Sequence, residues 1–254
     1  MILHSKILGD SNKHILILHG FLGSGDNWIS VARKLNLIGF TIHLIDQRNH
    51  GRSFHSEKFD YNLMCEDLFN YIKHHNINNI ILIGHSMGGK TAMNFSLIHP
   101  ELVSKLIVLD TSPRGYPVLH QNIIDPLKEI DFSIFTTRKE IDIELGKSVI
   151  KQGLRNFIMK NIYRMNDGKL NFRFNLKSLS ENIGKIGQKI ESDAQFTREV
   201  IFIKGETSDY INESDKVMIN NLFPNAKFYK IPNAGHWLHV DNPIDFLSVL
   251  LSLI

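Results

Sequence analysis

Short, unbroken apolar runs separated by helical stretches constrain this chain most. "HILILHG", "FTIHLID", "NIILIG" and "KLIVLD" are such runs, each read as a strand, and the strands "EVIFIKG" and "AKFYKI" follow late in the chain. A strand that is apolar on every residue needs cover on both faces. Parallel strands in turn need crossover helices to connect them. The stretches between the runs supply those helices. "WISVARKLNLIG" closes at Gly39, Met64, Leu68, Tyr71 and Ile72 share one helical face, and "TAMNFSLIHP" stops near Pro100. Another helix is expected around residues 214–222. A last one starts at Asn242, with Pro243 in its first turn and Asp245 at the positive end of its dipole. The chain is therefore expected to be an α/β protein with a mostly parallel sheet.

The rhythm breaks over residues 112–198. No convincing strand run occurs there, and Ile141, Leu145, Val149 and Ile150 recur at helical spacing. Residues 113–198 hold 15 basic and 10 acidic residues, whereas the remainder holds 14 and 16. We read 113–198 as an inserted helical cap, or lid, with a basic bias. Residues 1–112 and 199–254 then form the core.

Composition excludes several classes. At 43% hydrophobic, 22% charged and +3 net charge, 254 residues describe an ordinary globular chain. The charge is too small to argue for nucleic acid, and no nucleic-acid-binding motif is present. "MILHSKILGD" lacks the apolar core of a secretory signal, and "FLSVLLSLI" is far too short for a membrane span. A cytoplasmic location is expected, with monomer and homodimer both open. The single cysteine, Cys65, reads as a small core residue, because one thiol cannot form an internal disulfide. The 13 histidines show no metal-binding spacing, so neither a metal nor a cofactor is expected.

"GHSMGG", residues 84–89, lies directly after one strand and directly before a helix. That is the setting of a nucleophile elbow. The turn strains Ser86, and Gly84 and Gly88 allow strand and helix to pass closely. The helix N-terminus points its free N–H groups toward Ser86, and Met87 N–H is placed for an oxyanion. A glycine-rich turn with an incidental serine is the structural alternative. A serine hydroxyl needs a base near neutrality, and His236 in "NAGHWLHVDNP" sits in a loop late in the chain. His239 is its nearest rival. His85, adjacent to Ser86, should point elsewhere and act structurally. "HGF" after the first strong strand offers the Phe21 N–H as a second oxyanion donor. For the acid, both Asp110 and Asp209 remain open. Asp46 precedes the serine and is expected, with Arg48, in an ion pair or hydrogen-bond network under the site. Lys90 is expected to be solvated or paired.

"HGFLGSGDNW", "DQRNHGRS", "GHSMGGKTAM", "VLDTSP" and "PNAGHWLH" together resemble the α/β-hydrolase superfamily over nearly the whole chain, and most closely its YbfF-type bacterial esterases. The resemblance implies a sheet of about eight strands with a helical cap inserted after the sixth. It also implies that Asp110 holds His236, that Ser208 adds a hydrogen bond, and that Asp209 lies at the surface. The expected activity is hydrolysis of small to medium carboxylic esters through an acyl-enzyme, with acyl-CoA thioesters as an option because the cap is basic. The alternatives are a cofactor-free perhydrolase or haloperoxidase, a C–C bond hydrolase, or a catalytically silent binding protein on the same fold.

Overall fold

The computed structural model describes residues 1–117 and 121–254. Nine strands and eleven α-helices follow one another along them. In chain order they are β1 (Ser5–Leu8), β2 (His14–Leu18), α1 (Ile29–Leu37), β3 (Thr41–Ile45), α2 (Tyr61–His74), β4 (Ile80–His85), α3 (Met87–Ile98) and β5 (Val103–Leu109). Then come α4 (Gln121–Lys128), α5 (Arg138–Gly146), α6 (Gln152–Met159), β6 (Ile162–Arg164), β7 (Leu170–Phe172), α7 (Leu176–Glu181) and α8 (Ile183–Ile186). The chain closes with β8 (Glu199–Gly205), α9 (Asp215–Leu222), β9 (Ala226–Ile231), α10 (Leu238–Asp241) and α11 (Pro243–Leu253).

The main sheet has the order β1-β3-β2-β4-β5-β8-β9. β1 runs antiparallel to β3, and every other neighbouring pair is parallel. The expected parallel sheet is present, with two corrections. It holds seven strands instead of about eight, because residues 1–4 add no strand outside β1. The large insertion accordingly follows the fifth strand, not the sixth.

Alternation along each strand divides the core in two. Leu16 and Leu18 of β2 pack with Leu82, Leu106 and Phe202 against α2, α3 and α9. Ile15 and Ile17 face the other way, with Ile83, Ile107 and Ile201, against α1 and α11. Each such side chain contributes about 1.5–3 kcal/mol on leaving water. Continuous apolar strands are thus explained by burial on both faces.

Between β5 and β8 the chain forms α4 to α8 and one antiparallel hairpin, β6–β7. The hairpin corrects the expectation of an all-helical insertion. Its strands have three residues each, too short to display a period of two, and its turn uses Gly168 at φ 86°. Ile141, Leu145 and Val149 are buried as expected, but Ile150 lies exposed between α5 and α6. This segment has its own apolar cluster, which also takes in Phe21, Leu22, Met64 and Met87 of the main body. No helix among the described residues is long and apolar enough to cross a membrane.

Candidate active site

β4 runs straight into α3 with Ser86 at the corner, at φ 53° and ψ −117°. Such a backbone costs a non-glycine residue about 1–3 kcal/mol and persists only where its surroundings impose it. The glycines show how they do so. A Cβ on Gly84 would strike the Gly88 carbonyl, and one on Gly88 would strike the carbonyls of Leu18 and His19. Strand, helix and the end of β2 therefore touch backbone to backbone, leaving Ser86 at the corner.

His236 arrives from the loop before α10. Its Nε2 lies 3.0 Å from Ser86 Oγ, and its Nδ1 lies 2.7 Å from Asp110 Oδ2. Asp110 directly follows β5, is fully buried, and has φ 49°. Its Oδ1 accepts from Gly205 N–H at 3.0 Å, and its Oδ2 also accepts from Ser208 Oγ at 2.5 Å. The carboxylate keeps the His236 proton on Nδ1 and leaves Nε2 as an acceptor facing the serine hydroxyl. Ser86, His236, Asp110 and Ser208 are brought together. Asp209 is not: it is exposed, and its backbone carbonyl accepts from Arg114 at 2.9 Å.

The two rival histidines are accounted for. His85 donates from Nε2 to the His236 carbonyl at 2.8 Å, and burial holds it well below the usual histidine range. His239 stacks on Trp28 with centroids 4.0 Å apart, and burial pulls it down to about 3. Cys65 is buried and its thiol pushed up to about 12, which makes it inert.

The loop after β2 forms the floor beside Ser86. A Cβ on Gly20 would sit 3.3 Å from Ser86 Cβ and 2.9 Å from His85 Nδ1, so only glycine lets this loop come so close. Phe21 follows, buried with Met87 in one cluster. Met87 is the first residue of α3, so its N–H has no acceptor within the helix.

Two expectations are narrowed. Of the ion pair or hydrogen-bond network expected for Asp46 and Arg48, the structure has networks, with no direct pair between the two. Asp46 accepts from the N–H groups of Gly25 at 2.7 Å and Arg52 at 2.8 Å, while Arg48 clamps Asp67 through Nε at 2.5 Å and Nη2 at 2.8 Å. Their sequence neighbourhood hid the true partners. Lys90, expected to be solvated or paired, is paired. Its Nζ donates to the carbonyls of Arg114, at 2.6 Å, and Gln188, and lies 4.9 Å from the centre of the Tyr116 ring. Burial, helped by the Arg114 charge, pulls it down to about 7.

Two aromatic residues near the site escaped sequence reasoning. Tyr210 stacks on His236 with centroids 3.8 Å apart, and its carbonyl accepts from Tyr116 Oη at 2.6 Å. The one available signal was the aromatic two residues after Ser208. A cleft of about 380 Å³ opens above Ser86, walled by Tyr61, Met87, Lys90, Tyr116, Ile186 and Tyr210.

Comparison with known proteins agrees with this fold. Residues 13–243 match the family described as alpha/beta hydrolase fold. The chain is 37% identical over 254 residues to the sn-1-specific diacylglycerol lipase ABHD11 of Danio rerio, covering 97% of this chain and 79% of that protein. It is 30% identical over 236 residues to esterase YbfF of Escherichia coli, covering 92% and 89%. The solved structure of a marine microorganism esterase superimposes with a TM-score of 0.97 at 44% identity, over 100% of this chain and 99% of that one. With its fold, its elbow and relatives that are named esterases and lipases, this chain belongs to the α/β-hydrolase family.

Proposed function

We propose that this protein is a carboxylic-ester hydrolase that works through an acyl-serine intermediate. The observation that carries the proposal is the continuous line from Ser86 Oγ through the His236 ring to Asp110 Oδ2, at 3.0 and 2.7 Å, beneath an open cleft. In this reading His236 Nε2 takes the Ser86 proton as Oγ attacks the acyl carbonyl. The oxyanion is held by N–H groups of Phe21 and Met87. Asp110 offsets the charge that develops on the imidazole, and Ser208 and Gly205 N–H fix the carboxylate. The tetrahedral adduct collapses as His236 gives its proton to the departing alcohol or thiol. Water, deprotonated by the same ring, then releases the acid. Loss of one oxyanion donor costs about 10² to 10³ in rate.

The walls suggest the substrate. Tyr61, Met87, Ile183, Ile186 and Tyr210 give the cleft an apolar side beside Ser86 that suits an acyl chain. Residues 113–198 serve as the cap over a core of 1–112 and 199–254. The cap's excess of basic residues, 15 against 10 acidic, favours an anionic leaving group and keeps acyl-CoA thioesters among the substrates. The relatives named esterases and lipases support the ester class.

The test is labelling and turnover together. A fluorophosphonate should modify Ser86 in the wild-type protein but nothing in Ser86→Ala, and p-nitrophenyl butyrate should be hydrolysed only by the former. A wild type that resists the probe and leaves the ester intact would mark a silent binding protein instead.

A further inference from the structure

Arg48, Asn49 and His50 follow one another in the loop after β3, and each side chain serves a different part of the molecule. Arg48 clamps Asp67 of α2. Asn49, at φ 64°, reaches up to the inserted segment: its Nδ2 donates to Ser178 Oγ at 3.1 Å, and its carbonyl accepts from Asn175 N–H at 2.9 Å. His50, fully buried, pairs its Nδ1 with the Arg48 carbonyl at 2.9 Å. That contact puts the proton on Nδ1 and leaves Nε2 as the acceptor for Leu22 N–H at 3.1 Å.

Leu22 directly follows Phe21 and sits at φ 57°, the left-handed region that a leucine rarely adopts. Its carbonyl accepts from Asn161 Nδ2 at 2.8 Å. Asn161 lies between α6 and β6, is buried, and is itself fixed, since its N–H donates to Ile158 and its carbonyl accepts from Arg173 N–H. One residue of the loop beside Ser86 is thus gripped at its N–H from below and at its carbonyl from above.

We propose that Asn161 and His50 are positioning residues for oxyanion stabilisation, so that the loop beside Ser86 is held ready only while the cap is seated on it. The proposal rests on the esterase reading above. A leucine in the left-handed region is strained, and the bonds from His50 and Asn161 help the Gly23 N–H to Gly20 carbonyl bond hold the turn there. Losing Asn161 Nδ2 therefore lets residues 20–22 relax and move the Phe21 peptide away from the developing oxyanion, where misplacement of about 1 Å costs up to 10²-fold. Ground-state binding in the cleft is untouched.

The experiment compares wild type with Asn161→Ala on p-nitrophenyl butyrate and on an aliphatic trifluoromethyl ketone, which adds to serine as a tetrahedral oxyanion. The expected result is a loss of about 10- to 100-fold in kcat, KM within twofold of about its wild-type value, and a parallel loss of ketone affinity. Wild-type kcat and ketone affinity in the variant, or a change in KM alone, overturns the proposal. Should Asn161→Ala fail to fold, Asn161→Asp keeps the shape, cannot donate when ionised, and is measured to the same two ends. A wild type that neither cleaves the ester nor binds the ketone sinks the esterase reading itself. An active wild type with an equally active variant sinks this inference alone.

Discussion

His236 Nδ1 meets Asp110 Oδ2 at 2.7 Å across a sequence separation of 126 residues, and Asp110 follows the strand directly beside the one that leads into Ser86. Asp110→Asn keeps the shape but removes the charge that sets the imidazole tautomer. We expect kcat on p-nitrophenyl butyrate to fall about 10⁴-fold. Asp209→Asn should stay within about twofold of wild type, as surface substitutions usually do. The reverse pattern would move the acid to the loop after β8.

Ser208 donates to the same carboxylate oxygen at 2.5 Å and accepts from Tyr210 N–H at 3.3 Å. A hydrogen bond to a charged group contributes about 1.5–3 kcal/mol. Ser208→Ala should therefore lower kcat by about 10-fold or more while KM holds. An unchanged kcat would reduce Ser208 to a spectator.

Acid should weaken the fold through its buried histidines. Burial first, with neighbouring positive charge behind it, pulls His43 down to about 4 and His239 to about 3. The unfolded chain takes up a proton near the ordinary histidine value of 6.5, whereas the folded chain does not. Stability is present above that pH and is lost as pH falls toward 4 and below. Each such histidine costs about 1.4 kcal/mol per pH unit inside its window. Among the described residues His239 Nδ1 has no hydrogen-bond partner, and the ring stacks on Trp28, so His239→Phe should keep the stack and flatten the slope. Urea midpoints at pH 7, 6 and 5 read this directly, and parallel slopes would contradict it.

If the cap's basic bias draws an anionic leaving group, acyl-CoA turnover should fall steeply as salt rises toward about 0.5 M, while p-nitrophenyl ester turnover stays level. Stopped assays on both substrates across one salt series decide it. Parallel curves remove the thioester option.

Ser86 and His236 were legible because a local pattern carries them: glycines at fixed offsets around the first, a loop between the last strand and last helix for the second. Asp110 was legible only through family resemblance, since nothing local distinguishes an aspartate that orients a ring from one that caps a turn. The parallel sheet followed from apolar runs, but its strand number depended on residues 1–4, too few to show a pattern. The partners of Lys90, and Tyr116, Tyr210 and Asn161 altogether, were missed for one reason. Lys90 finds Gln188 98 residues away, Tyr116 finds Tyr210 94 away, and Asn161 finds Leu22 139 away. Such pairs leave no period in the sequence.

Lys90 ties down the Arg114 and Gln188 carbonyls together, one near each root of the inserted segment. A panel riveted at both roots to the helix that begins beside Ser86 does not swing like a door on one jamb.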